Sequence, residues 1–222
     1  MAGSIEQQTG DTGILPNSIV CLLGPFAVGK SAILQQLGDN FGFDTPKSYT
    51  TREKRPTDNS DLTVCVADEE FDSATMLLCT MHPTTGHKMG YKATDFDGEK
   101  PVAIVLSHAA FPALQGLVAV RKRFIVPVMV VAEPTDWGIW RKEREALPDY
   151  AARLADARSC LNWAIGAGRK ELNFVTNRPE NNPGFTAANA IITSDYSEPT
   201  AAIAVATKMR ARAMLMESRA KR

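Results

Sequence analysis

The chain has 222 residues, 44% of them apolar, which suits one α/β domain with a sizeable core. Lysines plus arginines number 25, as do aspartates plus glutamates, so the overall charge does not favour a nucleic-acid or membrane-surface partner. The four cysteines lack metal-ligand spacing, and no apolar run approaches the about 18–20 residues of a membrane span. We therefore expect a cytoplasmic protein with reduced cysteines.

The first third of the chain alternates between polar and apolar segments. Residues 1–16 are polar and without periodicity, which predicts a disordered lead-in. The apolar run at 19–23 predicts a buried strand. Residues 31–37 have helical spacing and predict a helix that ends with Gly38 as its C-cap.

The connection between this strand and helix reads Gly-Pro-Phe-Ala-Val-Gly-Lys-Ser and fits the phosphate-binding pattern G-x-x-x-x-G-K-[ST]. Glycines allow the close backbone approaches that such a loop needs, and its N–H groups with the helix N-terminus would face an anion. Lys30 is expected to contact the β- and γ-phosphates, and Ser31 to ligate Mg²⁺. The residues expected to hold the nucleotide are Gly24, Pro25, Phe26, Ala27, Val28, Gly29, Lys30, Ser31 and Ala32.

A mixed stretch with short elements follows the first helix. A β-prone segment at 48–51 leads into Arg52 and Arg55, whose spacing lets both guanidinium groups converge on one phosphate. Residues 62–67 predict a strand and residues 69–78 a helix. We interpret about 48–100 as a small insert that packs over the phosphate loop.

The second half of the chain alternates between strand and helix patterns. Strands are predicted at 101–106, 124–131 and 172–176, and helices at 111–120, 134–147, 149–167, 184–192 and 200–222. This alternation predicts a doubly wound, mainly parallel sheet, with its ligand site beyond the carboxyl ends of the strands. The last helix is basic, and we expect it to pack on the domain rather than to bind nucleic acid.

Two motifs together resemble the guanylate kinase family of nucleoside monophosphate kinases. The loop is similar to the family's G-P-x-x-x-G-K-[ST], and residues 48–55, Ser-Tyr-Thr-Thr-Arg-Glu-Lys-Arg, are similar to its S-x-T-T-R-x-x-R. The resemblance implies a P-loop NTPase fold over 17–193, with a nucleoside monophosphate-binding insert and a helical lid at about 134–155. The lead-in and the separate basic helix at 194–222 lie outside the resemblance. It also implies transfer of a phosphoryl group from ATP, with Mg²⁺, to a nucleoside monophosphate.

The same resemblance implies roles for particular side chains. The acceptor would be bound by Ser48, Arg52, Arg55, Asp58 and Tyr91. The transferring group would be contacted by Lys30, Arg141, Arg144 and Arg153. Phosphoryl transfer depends mainly on positioning and on neutralising oxygen charge, and closure of a lid excludes water.

The chain departs from the family where guanine would be read by two acidic residues. Residues 77–81 read Leu-Leu-Cys-Thr-Met and residues 106–108 read Leu-Ser-His, without a carboxylate. Met89 stands where the family has a tyrosine before a glycine, with Tyr91 following Gly90. Missing acids weaken discrimination for guanine, so three hypotheses stay open: a nucleoside monophosphate kinase with a GMP-like or altered base, a kinase of another small phosphorylated acceptor such as a sugar phosphate, and a non-catalytic binding module.

Overall fold

The computed structural model describes residues 16–55, 58–82, 85–142, 145–146, 149–166, 170–179 and 181–220, without the side chains of 118–121. The expected lead-in at 1–16 lies almost entirely outside the described residues. The strands are β1 (Ser18–Leu23), β2 (Ser48–Thr50), β3 (Thr63–Cys65), β4 (Met76–Met81), β5 (Lys88–Lys92), β6 (Val102–Val105), β7 (Phe124–Ala132) and β8 (Asn173–Asn177). The helices are α1 (Lys30–Phe41), α2 (Phe111–Arg121), α3 (Pro134–Trp140), α4 (Tyr150–Ile165), α5 (Phe185–Ile192) and α6 (Pro199–Ala220).

A parallel four-stranded sheet in the order β6-β1-β7-β8 forms the centre of the domain. Every residue of β1 is buried, as expected for a central strand covered on both faces. The carboxyl ends of these four parallel strands lie along one edge of the sheet, and the phosphate loop begins at the end of β1. The predicted α/β class with a mainly parallel sheet is confirmed.

A second sheet in the order β3-β2-β5-β4 lies within residues 48–92. Its strand β5 pairs antiparallel with both β2 and β4, and Tyr49 lies opposite Gly90. The predicted helix at 69–78 is wrong. Two short 3₁₀ turns occupy Asp68–Glu70 and Ser73–Thr75, and β4 follows because its backbone groups pair with β5. Pairing with β5 overrides the local helical spacing.

Helix boundaries also differ from those predicted. Helix α1 continues through Gly38 and ends at Gly42, whose φ of 71° and N–H bond to the Leu37 carbonyl form a left-handed C-cap. Helix α3 stops at Trp140 rather than near 147. The lid expected at about 134–155 therefore comprises α3, a connection and the first turn of α4.

The terminal helix α6 packs along α4 through a stripe of small and apolar residues. Small side chains let the two helix backbones approach closely, and Glu217 near the helix end is 4% exposed and lies 3.2 Å from Arg158. The buried residues of the stripe are Ala202, Ala206, Met209 and Ala213. Among the described residues, no helix combines the length and apolarity needed to cross a bilayer.

Enlarging a residue of this stripe should destabilise the domain. Ala206 is fully buried, so Ala206→Leu overpacks the α4–α6 contact and should lower the free energy of unfolding by about 1–3 kcal/mol. Ala204 on the exposed face of the same helix provides the matched control, Ala204→Leu. Urea unfolding followed by circular dichroism measures both variants. Equal midpoints for Ala206→Leu and Ala204→Leu would contradict the packing.

Candidate active site

The phosphate loop connects β1 to α1 and is pressed against two other strands. Gly24 has a φ of 139°, and a Cβ at this position would lie 2.5 Å from the Val130 carbonyl oxygen of β7. Gly29 has a φ of 89°, and a Cβ there would overlap the Asn177 side-chain amide of β8. Both positions therefore need glycine, for close approach as well as for backbone conformation.

Two side chains from distant segments hold the loop through hydrogen bonds to its backbone carbonyl groups. Asn177 Nδ2 donates a hydrogen bond to the Val28 carbonyl at 3.0 Å, and Trp137 Nε1 donates one to the Phe26 carbonyl at 2.8 Å. With these carbonyls satisfied, the loop N–H groups are left to face a ligand. Sequence reasoning missed both residues. The available signal for Asn177 was a polar residue at the carboxyl end of a buried parallel strand.

Lys30 folds over the loop. Its ammonium donates hydrogen bonds to the carbonyl oxygens of Gly24 at 2.8 Å and Pro25 at 2.7 Å. Burial lowers the pKa of Lys30, and the nearby carboxylate of Asp156 on α4 opposes that change. The structure thus places a cation at the N-terminus of α1, where phosphate oxygens would bind.

A cavity of about 490 Å³ opens on one side of the loop. An indole, a guanidinium and two prolines in its lining suit a planar aromatic group, which can stack on such surfaces. The residues around it are Ala27, Gly29, Lys30, Ser31, Ala32, Trp140, Asn177, Arg178, Pro179, Pro183 and Gly184. We call this the donor cavity. Trp140 and Arg178 were not identified from the sequence.

A second cavity of about 260 Å³ lies between the loop and the small sheet. Arg52, Arg55 and Arg153 line it together with Ser31 and Ser48, and we call it the acceptor cavity. A smaller cavity of about 210 Å³ shares Ser31 and the three arginines with it. The structure therefore brings together side chains that are 122 residues apart in the chain (31 and 153).

Carboxylates hold these arginines in fixed orientations. Arg52 donates two hydrogen bonds to Asp58 at 2.6 and 2.7 Å, and Arg153 donates two to Asp149 at 2.8 and 2.6 Å. Arg55 lies 3.6 Å from the same Asp149. Burial raises the pKa of Asp58, but hydrogen bonds from Arg52 and the Arg55 backbone outweigh it and hold that pKa below its ordinary value.

The remaining predicted residues have different positions. Tyr91 contributes its ring to the acceptor cavity, while its hydroxyl donates to the Val105 carbonyl at 2.7 Å and accepts from the Val105 N–H. Burial raises the pKa of Tyr91. Arg141 is 2% exposed and donates to Glu145 and to the Tyr150 hydroxyl, so the structure does not bring it to these cavities. Arg144 lies outside the described residues.

The acceptor cavity is also lined by uncharged and imidazole side chains, which we call its far wall. The wall is formed by Thr63, His82, Thr85, His87 and Met89. Among the described residues that line this cavity there is no aspartate or glutamate. This agrees with the missing acids at 77–81 and 106–108 in the sequence.

The fold of the chain is similar to that of guanylate kinase from Anaplasma phagocytophilum. The match covers 81% of this chain and 84% of that chain, with a TM-score of 0.50 and 14% sequence identity. No protein-family model and no curated protein matches the sequence. The comparisons therefore show a distant guanylate kinase-like fold, in agreement with the resemblance carried by the two motifs.

The carboxylate of Asp58 should make stability depend on pH. A group with a lowered folded-state pKa stabilises the fold above its unfolded pKa of about 3.9 and loses that contribution as the pH falls through the folded value. Asp58→Asn should therefore lower the free energy of unfolding at about pH 6, with a smaller difference from wild type at about pH 3. Exposed Asp61, changed to Asn, is the control. A difference for Asp58→Asn that does not depend on pH would contradict this assignment.

Proposed function

We propose that the protein transfers the γ-phosphoryl group of ATP to a nucleoside monophosphate, forming the diphosphate and ADP. One observation carries the proposal: Ser31, at the end of the phosphate loop, lines both the donor and the acceptor cavity. A phosphate held by the loop and a phosphate held by the arginines would then be neighbours. This adjacency is the main requirement of phosphoryl transfer, in which positioning and charge stabilisation supply most of the catalysis.

The donor cavity supports binding of ATP and Mg²⁺. Residues 24–32 would hold the phosphates through backbone N–H groups, and Lys30 would donate to phosphate oxygens as it now donates to two carbonyls. The exposed hydroxyl of Ser31 fits Mg²⁺, which takes few protein ligands and completes its shell with phosphate oxygens and water. Bound Mg²⁺ would neutralise phosphate charge during transfer.

The acceptor cavity supports binding of a second phosphate. Arg52, Arg55 and Arg153 present forked donors that match phosphate oxygens, and Asp58 and Asp149 keep the forks oriented. Three guanidinium groups against two carboxylates leave a net positive charge, which attracts an anion. We propose Arg153 as the cation that contacts the transferring group. The position of Arg141 does not support the same role.

A specific observation favours a second candidate, a kinase of another small phosphorylated compound such as a sugar phosphate. The described far wall of the acceptor cavity has hydroxyl and imidazole groups and no carboxylate. A buried acid would pair with the N1–H and amino group of guanine and so favour guanine over other acceptors. A wall without such an acid discriminates less strongly against acceptors that lack guanine. The two candidates share the same donor site and the same arginines.

Turnover with a panel of acceptors tests the proposal. ADP release should occur with at least one nucleoside or deoxynucleoside monophosphate, and Lys30→Ala should lower kcat by roughly 10²–10³ because it removes a charge from the transition state. Arg52→Ala should mainly raise the KM for the acceptor. Lys47→Ala is the control, since Lys47 is half exposed at the surface. Turnover only with sugar phosphates would favour the second candidate, and none with any acceptor would refute both.

Tryptophan fluorescence tests the donor cavity without any acceptor. Of the three tryptophans, Trp140 lines the donor cavity whereas Trp137 is buried. Adding ATP with Mg²⁺ should change the emission because a base placed in the cavity contacts the indole. The change should disappear in Trp140→Phe and persist in Trp163→Phe. Persistence of the full change in Trp140→Phe would place the base elsewhere.

A further inference from the structure

One face of α4 runs from the acceptor cavity to the phosphate loop. Arg153, Asp156 and Cys160 are spaced by three and four residues and therefore share this face. Arg153 lines the acceptor cavity, and Cys160 is buried beside Gly24 and Lys30. Asp156 lies between them along the helix, at the junction of the two halves of the site.

Asp156 interacts with three basic side chains from three separate segments. His82, on the connection from β4 to β5, places its Nε2 3.8 Å from the Asp156 carboxylate. Lys30 of the phosphate loop and His108, which follows β6, are both close enough for this carboxylate to raise the pKa of each against the lowering effect of burial. His108 also lies 3.1 Å from the Ser159 hydroxyl of α4.

The hydrogen bonds of His82 direct its ring toward this carboxylate. Its Nδ1 accepts a hydrogen bond from the Thr85 backbone N–H at 3.3 Å. The neutral ring therefore carries its proton on Nε2, the atom that faces Asp156. A contact made on this side holds the far wall of the acceptor cavity, to which His82 and Thr85 belong, against α4.

We propose that Asp156 is a positioning residue that ties the phosphate loop to the acceptor cavity. The inference rests on the proposed phosphoryl transfer. Without this carboxylate, Lys30, His82 and His108 would lose the anion with which all three interact. Lys30 and the small sheet would then no longer interact with a common carboxylate, and the two phosphates would no longer be held in line.

A surface ion pair that only adds stability is the alternative to be separated from this role. Such pairs contribute little, and their removal does not change how one cavity responds to a ligand in another. A positioning role predicts that binding of a nucleotide to the phosphate loop changes the environment of His82. The distinction therefore needs a measurement on the histidines, of which the chain has only three.

Histidine NMR provides the first test, and it needs no acceptor. In the wild-type protein, ATP with Mg²⁺ should shift the imidazole signal of His82, because Lys30 redistributes its contacts while sharing Asp156. In Asp156→Asn the nucleotide should still bind, but the shift of the His82 signal should be lost and the pKa of His108 should fall further. Asp39→Asn, the same change at an exposed site on α1, is the control. An unchanged response of His82 in Asp156→Asn would overturn the proposal.

Kinetics with the acceptor identified from the panel provides the second test. Asp156→Asn should lower kcat by roughly ten- to a hundredfold and change the KM for ATP much less, as expected for misplacement of bound groups. Asp156→Glu should restore part of kcat. If Asp156→Asn does not fold, His82→Asn removes the same contact from the opposite side. A kcat equal to that of the wild type in these variants would refute the positioning role and leave the proposed function intact. If the wild-type protein itself shows no turnover, the proposed function is refuted, and the NMR test alone decides whether Asp156 has the positioning role.

Discussion

The hydrogen bond from Asn177 to the Val28 carbonyl is the contact on which the site depends most directly. Together with the Trp137 bond to Phe26 and the close approach of Gly24 to β7, it holds the phosphate loop against the end of the central sheet. Because Trp137 and Asn177 satisfy the Phe26 and Val28 carbonyls, the loop N–H groups are left to face a ligand. Ser31 then lines the cavities on both sides.

The pairing of arginines with carboxylates is the second feature that organises the site. The arginines of the acceptor cavity are held by Asp58 and Asp149, so an acceptor phosphate would meet guanidinium groups that are already oriented. Helix α4 supplies Asp149 and Arg153 at its start and Asp156 one turn later. One helix therefore fixes both the anion site and its distance from the loop. Helix α4 is itself held by packing along α6.

The parts of the site that could be predicted are those encoded locally. The phosphate loop and the pair Arg52 and Arg55 are short motifs in which neighbouring residues act together. The prediction of a helix at 69–78 was wrong because strand β4 is stabilised by pairing with β5. Trp140 and Asp156 could not be found, since the fold alone brings them to the site, whereas Asn177 had the signal of a polar residue at the carboxyl end of a buried strand. Burial of Arg141 likewise depends on Tyr150 and Glu145, whose positions the sequence pattern does not reveal.

The donor and acceptor cavities are proposed to form one site for two phosphates. A compound in which adenosine and a nucleoside are joined by a chain of five phosphates would occupy both at once. Calorimetry should show one such molecule bound per chain, at least roughly tenfold more tightly than ATP, because the second contact becomes intramolecular. It should also prevent binding of either single nucleotide. Affinity no greater than that of ATP, with the acceptor cavity still free to bind, would contradict the account.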